Sequence, residues 1–314
     1  MSEPRFTYSL AELQQMSESV LQLAKTAGAS AAEAEVSLGF GQNVSVRMNE
    51  TETIEYNRDK GVSVTVYFGQ QKGHASTSDL SPQALQDTVA AACNIARYTA
   101  QDEFCGLADP DLMAKDIPDL DLHHPWALTV DQAIKLAQEC ESVARAVDSR
   151  ITNSEGASVS TYEGMFAYAN SNGFNGGYAS SRHGLSCSVI ADDGQDNMQR
   201  DYWYSTARSA DDLESAQHVG RLAGERTVRR LRSQRIKTAQ VPVMFDASIS
   251  SGLISHLISA ISGGSLYRKS SFLLDSLGKQ VMSPQEAFII SNILMDNSAR
   301  EYTFGAVNSL IIPN

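Results

Sequence analysis

The chain has 314 residues, with 25 Lys and Arg against 37 Asp and Glu and a formal net charge of −12. A surface this acidic repels phosphate backbones and argues against a nucleic-acid partner. The absence of any apolar run of about 18 residues argues against a membrane-spanning helix. At 42% hydrophobic residues the composition is that of a globular protein, long enough for roughly two domains.

Met1–Leu10 is polar and mixed, unlike a secretory signal, so a cytoplasmic location is expected. Ser9 and Glu12 form a capping box, and Leu13, Met16, Val20 and Leu23 or Ala24 keep helical spacing until Gly28. Alternating strands follow at Ala34–Leu38, Val44–Met48 and Val62–Tyr67, with Glu50–Tyr56 and Lys72–Thr77 as further candidates. Gly39-Phe40-Gly41 between two of them reads as a hairpin turn; it opens no helix and so makes a poor phosphate loop. The pattern is an antiparallel meander behind one helix.

Ser81-Pro82 starts a second helix, proline costing no hydrogen bond at the first helical position. Residues 99–128 are loop-like, and a loop of that length is expected to cover something or cross an interface. Thr129 with Gln132 caps a third helix. Residues 151–206 are rich in Gly, Ser, Asn and Tyr, and their regular aromatics argue for β structure, with Asp193-Gly194 as a tight turn. A fourth helix spans about Glu214–Leu231. Its basic cluster, from Arg221 to Lys237, reads as a solvated face. A boundary near Ser233–Gln240 precedes a strand at Val241–Phe245 and an apolar helix at Ser250–Ser262, with Ser262-Gly-Gly-Ser265 as its C-terminal cap. Residues 283–295 suit a helix and Tyr302–Ile312 a strand. The order of elements implies an α+β fold.

Local catalytic motifs are lacking. A helical metallopeptidase needs two His on one helix to hold the metal and a Glu between them to take a proton from its water. None of the six histidines (74, 123, 124, 183, 218 and 256) is followed by Glu or has a His four or five positions on. His123-His124 precede Pro125 and read as loop residues. Ser276-x-x-Lys279 has the spacing of a Ser–Lys pair, but Gly278 weakens the helix it needs, and a turn with a solvated lysine is simpler. The four cysteines form no C-x-x-C pair; Cys93 and Cys140 read as small core residues.

Several stretches carry a resemblance. They are Asn49–Asn57 (NETETIEYN), Gly61–Tyr67 (GVSVTVY), Lys72–Pro82 (KGHASTSDLSP), Ile95–Thr99, Asp119–Leu122, Arg150–Gly156 (RITNSEG), Ser181–His183, Arg200–Tyr202 and, most distinctive, Gly263–Gln280 (GGSLYRKSSFLLDSLGKQ). Together they resemble the PmbA/TldE branch of the TldD/PmbA metalloprotease family. The resemblance implies a domain of helices and antiparallel sheet over 1–236, with possible sub-regions 1–128 and 129–236. A β-rich C-terminal domain, incomplete here, would start at 237, with 283–314 unlike the family.

It further implies a non-catalytic subunit, paired with a TldD-type partner whose His-Glu-x-x-x-His helix binds zinc, the heterodimer acting on unfolded polypeptides. Ser251–Ala260 would occupy the position of that zinc helix with His256 alone, so no zinc or other cofactor is expected in this chain. His256, Tyr267, Arg268 and Lys269 are the candidates for facing partner or peptide. The alternatives are a stand-alone peptide-binding scaffold and a metallopeptidase using scattered ligands.

Overall fold

The structure is a computed structural model that describes residues 6–194 and 198–284. By internal contacts the chain divides into two compact units, 1–233 and 234–314. The helix expected over 283–295 falls almost wholly, and the strand expected at Tyr302–Ile312 wholly, outside the described residues.

The first unit is one sheet with helices on one face. Its elements run α1 (Leu10–Thr26), β1 (Ala31–Arg47), β2 (Glu50–Phe68), β3 (Gln71–Thr77) and α2 (Pro82–Tyr98), then α3 (Val130–Ala146), β4 (Ile151–Asn170), β5 (Asn175–Ala191), β6 (Gln199–Ala207) and α4 (Ala216–Arg229). The sheet order is β3-β2-β1-β4-β5-β6, antiparallel throughout. Two helix-meander-helix runs therefore join at the β1–β4 pair, giving the α+β architecture.

Local signals set the helix starts. The Ser9 backbone donates to Glu12 at 2.7 Å, the Glu12 backbone to the Ser9 hydroxyl at 3.3 Å, and Thr129 and Gln132 repeat the arrangement. Side chains alternate across a strand, and in β1 Ala32, Ala34, Val36, Leu38, Val44 and Val46 all face the helices. The first four join α1 and α2 in one core with Val62, Val64 and Val66. The last two join α3 and α4 in a second core with Val159, Leu185 and Val189. Long strands thus carry two cores side by side.

Gly39-Phe40-Gly41 is not a turn. It lies mid-strand in an unbroken β1, facing Glu163 and its neighbours on β4. The glycines make room for the Tyr162 ring: a methyl group at Gly39 would fall 2.7 Å from the Tyr162 hydroxyl oxygen. Glu50–Tyr56 and Val62–Tyr67 likewise belong to a single strand, β2.

On the opposite face Tyr67 of β2 and Tyr168 of β4 donate to the two oxygens of Glu33 on β1, at 2.7 and 2.8 Å. Burial, with the Glu33 carboxylate beside it, pushes the Tyr67 hydroxyl well above its ordinary value, so it stays a donor. This clamp crosses three strands. Glu33→Ala strands both hydroxyls and should cost about 2 kcal/mol, read as a lower midpoint in urea unfolding.

The second unit holds α5 (Ala247–Ile261) and α6 (Gly263–Tyr267). Val241–Phe245, expected as a strand, forms none; a short apolar run has no ladder without a neighbouring strand. Ser262-Gly-Gly-Ser265 does not close the polypeptide's helical run but breaks it and opens α6.

Candidate functional site

The sequence-predicted residues lie on, or just after, the two helices of the second unit. α5 carries no charged residue, and His256 stands on it exposed to solvent. α6 lies against α5, and the Ser271 hydroxyl ties the segment beyond it to the Ala260 carbonyl at 2.6 Å. The Arg268 guanidinium lies over the bare backbone of Gly264. Lys269 ends the helix in the left-handed region with φ 55°. Tyr267, Arg268 and Lys269 are all exposed, so an aromatic ring and two cations emerge from one turn of chain. Ser276 and Lys279 sit in a turn, the Lys279 backbone donating to the Ser276 carbonyl at 3.0 Å, with the lysine exposed.

A second polar cluster lies in the first unit, between its two cores, and the sequence did not single it out. His123 Nε2 is 3.2 Å from Glu163 Oε2, and the Glu163 side chain is 2% exposed. His183 is fully buried. Its Nε2 is 2.8 Å from the His124 carbonyl and must donate there, leaving Nδ1 to accept from the Thr161 hydroxyl at 2.9 Å. The Trp126 ring meets His183 edge-on at 5.4 Å. Ser181 accepts the His124 amide at 2.8 Å, while its own amide donates to the Leu122 carbonyl at 2.9 Å. The long loop therefore does cover something: its end is stitched over the inward polar residues of β4 and β5.

His123 and His124 are structural in this arrangement. Among the described residues, no three His, Cys, Asp or Glu side chains are grouped so as to hold a metal ion. The cysteines are free, and Cys93, Cys140 and Cys187 are buried. The neighbouring Cys140 and burial push the Cys187 thiol far above its ordinary value, so it is an inert core residue.

On the open face of the sheet a polar cleft is lined by Asn43, Ser45, Glu155, Ser158, Ser186 and Arg200, among others. Arg200 contacts Glu155 at 2.5 Å and holds that carboxyl below its usual range. The cleft offers hydrogen-bonding groups of both kinds, and the Ser188 hydroxyl donates to Glu155 there at 2.8 Å.

Comparison with known proteins gives a consistent picture. Models for three successive domains of the PmbA/TldA metallopeptidases match in chain order: domain 1 over residues 32–96, the central domain over 123–231 and the C-terminal domain over 238–300. The last match runs past Gln280, where the quoted stretches end. A metalloprotease PmbA homolog of Haemophilus influenzae is 48% identical over 271 residues, covering 86% of this chain and 60% of that protein. The metalloprotease PmbA of Escherichia coli is 47% identical over 251 residues, or 80% and 56%. The chain thus spans 60% or less of the length of these two relatives.

Among solved structures, a proposed modulator of DNA gyrase from Bacteroides thetaiotaomicron superposes with a TM-score of 0.79 at 27% identity, over 87% of this chain and 62% of that one. TldE from Thermococcus kodakarensis gives 0.65 at 16%, over 83% and 58%, a likeness of fold. No helix among the described residues is long and apolar enough to cross a membrane.

Proposed function

The chain belongs to the PmbA/TldD metallopeptidase family, and from that membership we propose that it serves as the subunit of a TldD–TldE-type heterodimeric protease that brings no metal-binding helix of its own. The observation that carries this reading is α5. The resemblance aligns it with the zinc helix of TldD-type subunits, yet it offers a single exposed imidazole, His256, and no carboxylate. Zinc needs about four donors, three of them from the protein even at a catalytic site. The residues present on α5 do not fit it, and no step of hydrolysis is assigned to this chain.

Its own contribution is then binding. Tyr267, Arg268 and Lys269 present a ring and two cations, suited to a carboxylate-bearing surface of the TldD-type subunit or to an extended substrate chain. The substrates in this reading are unfolded polypeptides, as the family resemblance implies.

The test combines zinc analysis with hydrolysis of an unstructured protein such as casein. It uses the purified chain, a TldD-type subunit and their mixture. Hydrolysis is expected with the mixture and not with this chain by itself. His256→Ala should leave zinc content and hydrolysis by the mixture unchanged, whereas alanines at Arg268 and Lys269 should weaken association about tenfold. Stoichiometric zinc in this chain, lost on His256→Ala, would overturn the reading in favour of a self-sufficient metallopeptidase.

A further inference from the structure

β1 accompanies β2 along its length, whereas β3 pairs only with Val62–Phe68. Residues 50–60 therefore have no outer strand among the described residues, and each of them is exposed. The matching edge lies on the other half of the sheet, where the β6 pairing stops at His183 and leaves the start of β5 uncovered. There the long loop fills in. The Ser181 amide donates to the Leu122 carbonyl at 2.9 Å, and the Ile117 side chain lies on the backbone of Gly176. The fold thus covers one of two equivalent edges with a stretch of its own chain. The other keeps a row of free N–H and C=O groups, a template for an extended segment.

The register says which segment. Ser45 faces Thr53 but Val46 faces Thr51, so Glu52 is the extra residue of a bulge and the regular edge runs from Thr53 to Lys60. Side chains alternate along it. Ile54 and Tyr56 share the helix-bearing face with Val44 and Gln42, and are 47% and 55% exposed. Glu55 and Asp59 point to the open face, opposite Asn43 and Gly39 on β1, which carry no charge. One face of the edge therefore offers two carboxylates about 13 Å apart, and the other two large apolar groups.

We propose that this edge binds an extended cationic polypeptide segment as an added antiparallel strand. The segment carries Lys or Arg four positions apart, across from Glu55 and Asp59, and apolar side chains across from Ile54 and Tyr56. Opposite charges directly across an antiparallel ladder are favourable and like charges unfavourable. A second copy of the chain is the wrong occupant. Paired antiparallel about Asn57 it sets Glu55 against Asp59 twice, and each copy carries a net charge of −12. The site uses only first-unit residues. It goes beyond the reading above and does not depend on pairing with a TldD-type subunit.

Fluorescence anisotropy with the full chain and the labelled peptide Lys-Val-Thr-Val-Lys-Val-Thr tests it. Saturable binding is expected. The same peptide with Glu in place of both lysines should bind roughly tenfold more weakly. The double variant Glu55→Lys with Asp59→Lys should reverse that preference, and circular dichroism checks that it keeps the fold. A lysine peptide N-methylated at every residue, unable to donate to the edge, should not bind. In hydrogen exchange the lysine peptide should protect residues 53–60. Absence of saturable binding overturns the proposal, as does equal binding of the two peptides or an unchanged preference in the double variant. Full binding by the N-methylated peptide, or protection only outside 53–60, overturns it as well. So does a chain that sediments as a dimer with 53–60 already protected, which would make a second copy the occupant.

Discussion

Replacing Glu141 with alanine will destabilise the first unit by about 3 kcal/mol and lower its melting temperature by roughly 10 °C. Glu141 is fully buried on α3, and its two oxygens accept the backbone amides of Met48 and Asn49 at 2.8 and 2.6 Å. Those residues form the two-residue turn between β1 and β2, both with positive φ, 52° and 71°. That is the pattern of the turn that matches strand twist, with asparagine tolerating it better than most side chains. Gln138 of α3 also donates to the Asn49 carbonyl at 2.9 Å, so the helix grips the turn from both sides. Alanine removes two charge-assisted bonds and leaves both amides without their acceptor. Glu141→Gln keeps one carbonyl oxygen and should lose about half as much. Hydrogen exchange locates the effect: residues 50–60, held on one side only, should exchange faster, while Val62–Phe68, held by β1 and β3, should change little.

The sequence shows best those features whose partners lie within a few positions. Ser9 with Glu12, Ser81 with Pro82 and Thr129 with Gln132 mark helix starts because each cap closes within one turn. The lack of a local His–Glu–His motif can be read off the sequence for the same reason, since such a motif is a property of consecutive turns. Gly39-Phe40-Gly41 misled because two glycines around an aromatic signal a turn locally. Their reason here is Tyr162, on a strand more than a hundred positions away. The cluster of His123, Glu163 and His183 was hidden because it draws on three segments. One signal was nonetheless present. Glu163 and His183 occupy positions that alternation assigns to the helix-bearing face, in step with Val159 and Ala167 on β4 and with Leu185 and Val189 on β5. An ionisable group at such a position must find a partner, and both find theirs in or beside the loop. The candidates on α5 and α6 came from resemblance instead, since exposure and charge at Arg268 and Lys269 are common on any surface.

Gly220→Val is expected to cost about 3–4 kcal/mol, against the usual sign of replacing a helical glycine. α3 and α4 meet through small residues, with Ala133, Ala137, Cys140 and Ala144 on one side and Ala216, Ala223 and Gly220 on the other. A methyl group at Gly220 would fall 2.2 Å from the Cys140 carbonyl oxygen and 3.2 Å from the Ala144 nitrogen. Both obstacles are helix backbone, so no rotamer change relieves them. The helices must separate, and they roof the same core, so Val159, Leu185 and Val189 lose packing together. Gly252 on α5 is the control. A side-chain carbon there meets nothing within 4 Å, so Gly252→Ala should be neutral or stabilise by up to about 1 kcal/mol. Equal melting temperatures for Gly220→Val and the parent would show that α3 and α4 do not touch as described. A large loss confined to the Gly220 variant would show that backbone proximity, set by small residues on both helices, holds the second core closed.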